Sequence, residues 1–140
     1  GKVQQLPVKQ HRTKTTNRYF NYIYVRMGAH TLIHKRTEDD IWKNLFELPL
    51  VETEKDLSEE EFLACPQFHA LFAEGEVRMV RTLLRGVKHV LSHRVIYTNF
   101  YEVTLPDNSS SFSSYQRVAV EDLGRYAVPR LIHAFLEKYV

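Results

Sequence analysis

The side chains able to carry chemistry in this 140-residue chain are seven histidines, one cysteine, the carboxylates Glu59-Glu60-Glu61, and Ser92 within His89-Val90-Leu91-Ser92-His93. His30 and His34, like His89 and His93, stand four residues apart. On a strand each pair shares a face but is separated by about 13 Å, at ~3.3 Å per residue. That is too far to share one zinc ion, and Cys65 alone cannot supply the short Cys/His spacing of a zinc site. No glycine-rich phosphate loop, Gly-x-Ser-x-Gly elbow or His-Glu-x-x-His pair is present. Carboxylates paired on a helix can bind magnesium. Ser58 followed by Glu61 is also a capping box, and acids in a first turn suit the helix dipole. The cap accounts for these glutamates without a metal, so no metal ligands are assigned.

A different chemistry fits the distribution of charge. The net charge is only +2, yet residues 1–18 carry Lys2, Lys9, Arg12, Lys14 and Arg18 with no acid. Residues 78–94 carry Arg78, Arg81, Arg85, Lys88 and Arg94, again with no acid, while residues 52–61 hold six acids against Lys55. Two basic blocks in a nearly neutral chain suit a local phosphate-facing surface. Phosphate contacts position a protein and specify nothing; a hydroxyl such as that of Ser92 can both donate and accept at a base edge.

These residues need elements to hold them. At 140 residues, 44% apolar and 26% charged, the chain has the makeup of one soluble globular domain. No apolar run is long enough to span a bilayer, so no membrane partner is expected. A single cysteine suits a reducing, intracellular compartment. Residues 1–17 read as a polar approach segment. Arg18–Met27 reads as a strand apolar on both faces, Gly28-Ala29 as a tight turn, and His30–Lys35 as a second strand. Ile41–Leu48 reads as a third extended run stopped by Pro49. Ser58 opens a helix whose buried side includes Phe62 and Leu63, and Pro66 bends or ends it.

Residues 77–84 suit a strand or a helix equally. Residues 87–91 and 95–105 read as strands with Ser92-His93 at the tip between them, and Tyr97, Phe100 and Tyr101 are assigned to the core. A serine-rich loop covers 107–114, residues 118–123 form a short strand or a helical turn, and Pro129 opens a terminal helix. Strands, a helix, more strands and a last helix make an α+β domain.

Three stretches together resemble one family. Trp42-Lys43-Asn44-Leu45-Phe46-Glu47-Leu48-Pro49 is similar to the Trp-x-x-Leu-(aromatic)-Glu-(apolar)-Pro stretch in the C-terminal domain of the adenine DNA glycosylase (MutY) family. His89-Val90-Leu91-Ser92-His93 resembles that domain's His-x-(Phe/Leu)-(Ser/Thr)-His loop. Tyr126-Ala127-Val128-Pro129 resembles its aromatic-Ala-apolar-Pro motif before the last helix. The likeness spans nearly the whole chain, in order.

The resemblance implies a Nudix (MutT-like) fold, a mixed β-sheet flanked by helices, over residues 18–140. Residues 1–17 would be the linker from a preceding catalytic domain of the same chain. It implies that the domain reads 8-oxoguanine paired with adenine in double-stranded DNA while that other domain excises the adenine, in a bacterial cytoplasm at the nucleoid. Leu91, Ser92 and His93 would meet the lesion, and Lys14, Arg18, Lys88, His89 and Arg94 the DNA backbone. This stretch would hold no cofactor and no catalytic residue. The family's four-iron cluster needs four cysteines, so it would belong to the other domain. The rival implication is an active Nudix hydrolase acting on nucleoside diphosphate derivatives. Its Gly-x5-Glu-x7-Arg-Glu-apolar-x-Glu-Glu-x-Gly magnesium box is not matched here: both glycines and the Arg-Glu pair are missing. A protein-interaction module using residues 1–17 or the 106–114 loop is the third reading.

Overall fold

The computed structural model describes residues 15–140, so Lys14 and most of the expected linker lie outside the described residues. Its centre is β1 (Thr16–Arg26), which runs parallel to β6 (Arg94–Thr104) over eleven residue pairs, from Thr16 opposite Arg94 to Arg26 opposite Thr104. β4 (Leu50–Thr53) flanks β1 antiparallel, and β5 (Met79–Val90) flanks β6 antiparallel, giving the order β4-β1-β6-β5. β2 (His30–Lys35), β3 (Phe46–Glu47) and β7 (Gln116–Ala119) form a second, antiparallel sheet in the order β3-β2-β7. Two parallel central strands in the larger sheet make it mixed, as the resemblance implies.

Alternation along β1 explains its apolar appearance on both sides. Phe20, Tyr22 and Tyr24 join Ile96 and Phe100 on one face, under α3 (Arg130–Tyr139) and a 3-10 helix at Val120–Arg125. Ile23 and Val25 join Tyr101 and Val103 on the other, under α1 (Glu59–Ala64) and α2 (Pro66–His69). Aromatic contacts lock both layers. Phe135 of α3 stacks on Phe100 at 4.1 Å, and Phe62 of α1 stacks on Tyr101 at 4.6 Å.

Several local expectations hold. Ser58 caps α1 in a reciprocal box with Glu61, and Pro66 ends that helix by starting the next. Gly28 turns the chain with φ +62°, where an added Cβ would sit 2.7 Å from Asp107 Oδ1. Residues 79–90 resolve as strand, and residues 116–125 are strand followed by 3-10 helix. β1 begins at Thr16, two residues before the expected strand start. Among the described residues, no helix is long and apolar enough to cross a membrane.

Ile41–Leu48 is not one extended run. Residues 41–44 are turns, with Trp42 at φ 58° and Asn44 at φ 74°, and only Phe46–Glu47 is strand. The loop is wrapped around Arg36, whose N–H donates to the Leu45 carbonyl at 2.8 Å. The Arg36 carbonyl accepts from Asn44 N–H at 2.6 Å, and its Nε donates to the Ile41 carbonyl at 3.1 Å. A left-handed tryptophan costs on the order of 1–3 kcal/mol. Packing of its ring edge-on to Phe20, at 5.9 Å, offsets that cost.

Candidate nucleic-acid interface

The β5–β6 hairpin carries the expected lesion-reading residues. Leu91 N–H donates to the Arg94 carbonyl at 2.8 Å, which closes a tip of two residues, Ser92 and His93, both exposed. The tip is tethered from a third strand: Thr16 N–H donates to the His93 carbonyl at 3.2 Å, and the Thr16 hydroxyl reaches the same oxygen at 3.4 Å. Leu91 is partly buried against the core, and His89 lies edge-on to Trp42 at 6.0 Å. Ser92 is thus held from both sides, while its hydroxyl bonds to none of the described residues. Of the expected lesion contacts, Ser92 and His93 face solvent and Leu91 serves as their anchor.

The basic block on this hairpin divides sharply. Arg81 donates to Glu102 at 2.7 Å, Arg85 to the Tyr101 hydroxyl at 2.7 Å and the Leu57 carbonyl at 2.9 Å, and Arg78 to the Gly75 carbonyl at 2.7 Å. Lys88 and Arg94 form no ion pair with any described residue. They flank the tip from opposite faces of the sheet, because Lys88 pairs with Tyr97 while Arg94 alternates with Ile96. Of the two, Arg94 adjoins the tip and Lys88 stands further along the hairpin, opposite Tyr97.

Arg18, expected to face DNA, is committed elsewhere. It donates to both Asp40 oxygens at 2.8 and 2.9 Å and to both Glu52 oxygens at 2.8 Å, which raises its pKa further and neutralises it locally. Asp40 also accepts from Arg36 Nη2 at 3.0 Å, and Arg36 Nη1 continues to Glu47 at 2.9 Å. Glu47 accepts from the Tyr22 hydroxyl at 2.7 Å. His34 Nε2 lies 2.9 Å from its other oxygen, without the alignment of a hydrogen bond. This chain of charges is the framework of the Trp42 loop. No sequence window could show it, since Arg18 lies 22 and 34 residues from its partners.

The framework predicts a pH dependence. Hydrogen bonds from Arg18 hold the Asp40 carboxyl down to about 2, from 3.8. A depressed carboxyl stays charged in the folded chain where the unfolded chain has taken up the proton. Its stabilisation is therefore complete above about pH 4 and fades as pH falls toward 2. Asp40→Asn is expected to flatten the fall in stability over that window in urea titrations at stepped pH. Part of the slope remains, because the serine hydroxyls of 109 and 111 hold Glu76 down to about 2 as well. An unchanged slope would remove Asp40 from the stability balance.

Residues that sequence reasoning placed wrongly also lie here. Phe100 and Tyr101 are buried, as expected. Tyr97 is not core: it is half-buried and stacks on Tyr19 across the strands at 5.6 Å. Alternation could not have signalled this, since Tyr97 shares a face with the buried Tyr101 and lies beyond the rows that α1 and α2 cover.

Three of the acids in and before α1 are engaged within the chain. Glu61 is spent on the cap, Glu59 accepts from the Thr82 hydroxyl, and Glu52 is held by Arg18. Among the described residues, no three His, Cys, Asp or Glu side chains converge.

A mixed sheet with a central parallel pair and helices on both faces define an α+β fold of MutT-like architecture. The sequence matches the NUDIX domain family over residues 21–138, and the chain belongs to that family. The fold is similar to the C-terminal domain of mouse MUTYH, solved in complex with human PCNA, with TM-score 0.65 and 14% identity over 87% of this chain and 86% of that one. It is similar to a MutT protein from Methanosarcina mazei Go1, with TM-score 0.56 and 18% identity over 89% and 93%. It is also similar to the E. coli ORF135 protein, with TM-score 0.56 and 14% identity over 88% and 88%. At these identities the likeness establishes the fold. No curated protein matches the sequence.

Proposed function

We propose that this domain reads 8-oxoguanine opposite adenine in duplex DNA, with Ser92 as the reading residue, as the recognition module of an adenine DNA glycosylase. The observation that carries the reading is the hairpin tip: an exposed hydroxyl on a turn anchored by Leu91 and by Thr16 at the His93 carbonyl, with Arg94 adjoining it and Lys88 further along, neither ion-paired to a described residue. The similarity to the mouse MUTYH C-terminal domain supports it. Oxidation at C8 converts guanine N7 from an acceptor into an N–H donor and adds a C8 carbonyl. The Ser92 hydroxyl accepts from that N–H, and a neighbouring backbone N–H donates to the carbonyl. Lys88 and Arg94 position the duplex through phosphates, so binding weakens with salt.

A base-edge contact of this kind discriminates by about 1–3 kcal/mol. At one fixed salt concentration, the chain is expected to prefer 8-oxoguanine:adenine over guanine:adenine duplex. Ser92→Ala should shrink that ratio by roughly thirtyfold, the middle of this range. A ratio unmoved by the substitution removes the role assigned to Ser92. The similarity to a MutT protein favours a second reading, hydrolysis of a nucleoside diphosphate derivative. Pyrophosphate release from 8-oxo-dGTP with magnesium, abolished by Glu60→Gln, would establish that reading instead.

A further inference from the structure

Lys88, Tyr97, Tyr19 and Thr53 stand in one row across all four strands of the larger sheet, on the face that α1 and α2 occupy further along. The helices cover the rows of Tyr101, Ile23 and Val25 but stop short of this one. The tyrosines stack at 5.6 Å with their planes within 16° of each other, and both remain partly exposed. In the next row toward the hairpin tip, Val90 is 66% exposed beside the half-buried Val95 and the exposed Asn17. No acid lies in either row, and Lys88 at the edge forms no ion pair with a described residue. An apolar, aromatic surface rimmed by a free cation is the composition that stacks a base and holds its phosphate.

We infer that this row is a second nucleic-acid subsite, where an unpaired nucleotide stacks on the Tyr19–Tyr97 pair with its phosphate on Lys88. The inference rests on DNA being the partner of the hairpin tip, and it adds a contact that the tip does not make. Tyr97 stands three residues beyond Arg94, where the tip closes, about 10 Å along β6 at ~3.3 Å per residue. One strand of DNA bound at the tip therefore passes over the row within a few nucleotides, at about 3.4 Å per step. A cross-strand tyrosine pair also steadies a sheet, but that role does not account for Val90 left bare beside it.

The test is fluorescence anisotropy of the full chain with a labelled single-stranded oligothymidylate, which carries no lesion and forms no duplex. Tyr97→Leu and Tyr19→Leu are each expected to weaken binding roughly tenfold, while Tyr97→Phe, which keeps the ring, stays within about twofold. Lys88→Ala should lower the salt dependence by about one phosphate contact. Thermal unfolding of each variant separates a lost contact from a lost fold. Leucine variants that fold and bind the single strand as tightly as the parent overturn the inference. A chain that keeps its 8-oxoguanine preference without ring-dependent single-strand binding loses this subsite and retains the lesion reading. Ring-dependent single-strand binding without lesion preference supports the subsite and overturns the lesion reading.

Discussion

Replacing Glu47 by alanine is expected to destabilise the domain by about 3–5 kcal/mol, the cost of removing one partner from a buried ion pair. Glu47 is 2% exposed, and one of its oxygens accepts from both Arg36 Nη1 at 2.9 Å and the Tyr22 hydroxyl at 2.7 Å. Its removal strands a hydroxyl on a residue with no exposed surface and leaves a guanidinium, 9% exposed, with only Asp40 as its acidic partner. Arg36 also organises the turn that holds Trp42, so the damage spreads to the loop packed on Phe20 and His89. Trp42 is the one tryptophan in the chain, and its fluorescence reports that loop directly. Urea unfolding measures the loss, and Glu47→Gln, which keeps the acceptor but not the charge, should fall between parent and alanine. A loss below about 1 kcal/mol would show that the network is not a buried ion-pair system in energetic terms.

Phe100→Ala is expected to cost about 3–5 kcal/mol, the range for deleting a large buried aromatic side chain. Phe100 has no exposed surface and is stacked between Phe135 at 4.1 Å and Tyr22 at 5.7 Å. The void would open where α3 rests on the sheet, since Phe135 is one of three buried residues of that helix. Hydrogen exchange should therefore quicken in α3 more than in α1, which rests on the opposite face through Phe62 and Tyr101. Urea unfolding gives the magnitude. A cost under about 2 kcal/mol, or equal loss of protection in both helices, would contradict two separately packed faces. Phe100→Ala leaves the hairpin tip untouched, so a variant that still folds should keep whatever lesion preference the parent shows.

Features written in short windows were legible in the chain itself. The Ser58–Glu61 box starts a helix because a hydroxyl and a carboxylate three residues apart satisfy two backbone N–H groups without help from elsewhere. Pro66 and Gly28 act through their own φ angles. The strands flanking Ser92-His93 show as dense β-branched and aromatic runs, and the resemblance of three stretches implied the Nudix fold and its mixed sheet. Partnership was not legible. Arg18 looked like a phosphate ligand because its acids, Asp40 and Glu52, come from a loop and a strand far along the chain. Tyr97 looked like core because its neighbours Phe100 and Tyr101 are buried, and only the reach of α1 and α2 leaves it uncovered. The run at 41–48 looked extended because its apolar residues have strand character. It turns because Arg36, buried against Glu47, recruits the carbonyls of Ile41 and Leu45. A capping bond is contained within one turn of chain, whereas a charge is assigned to its partner only when distant segments pack and water is excluded between them.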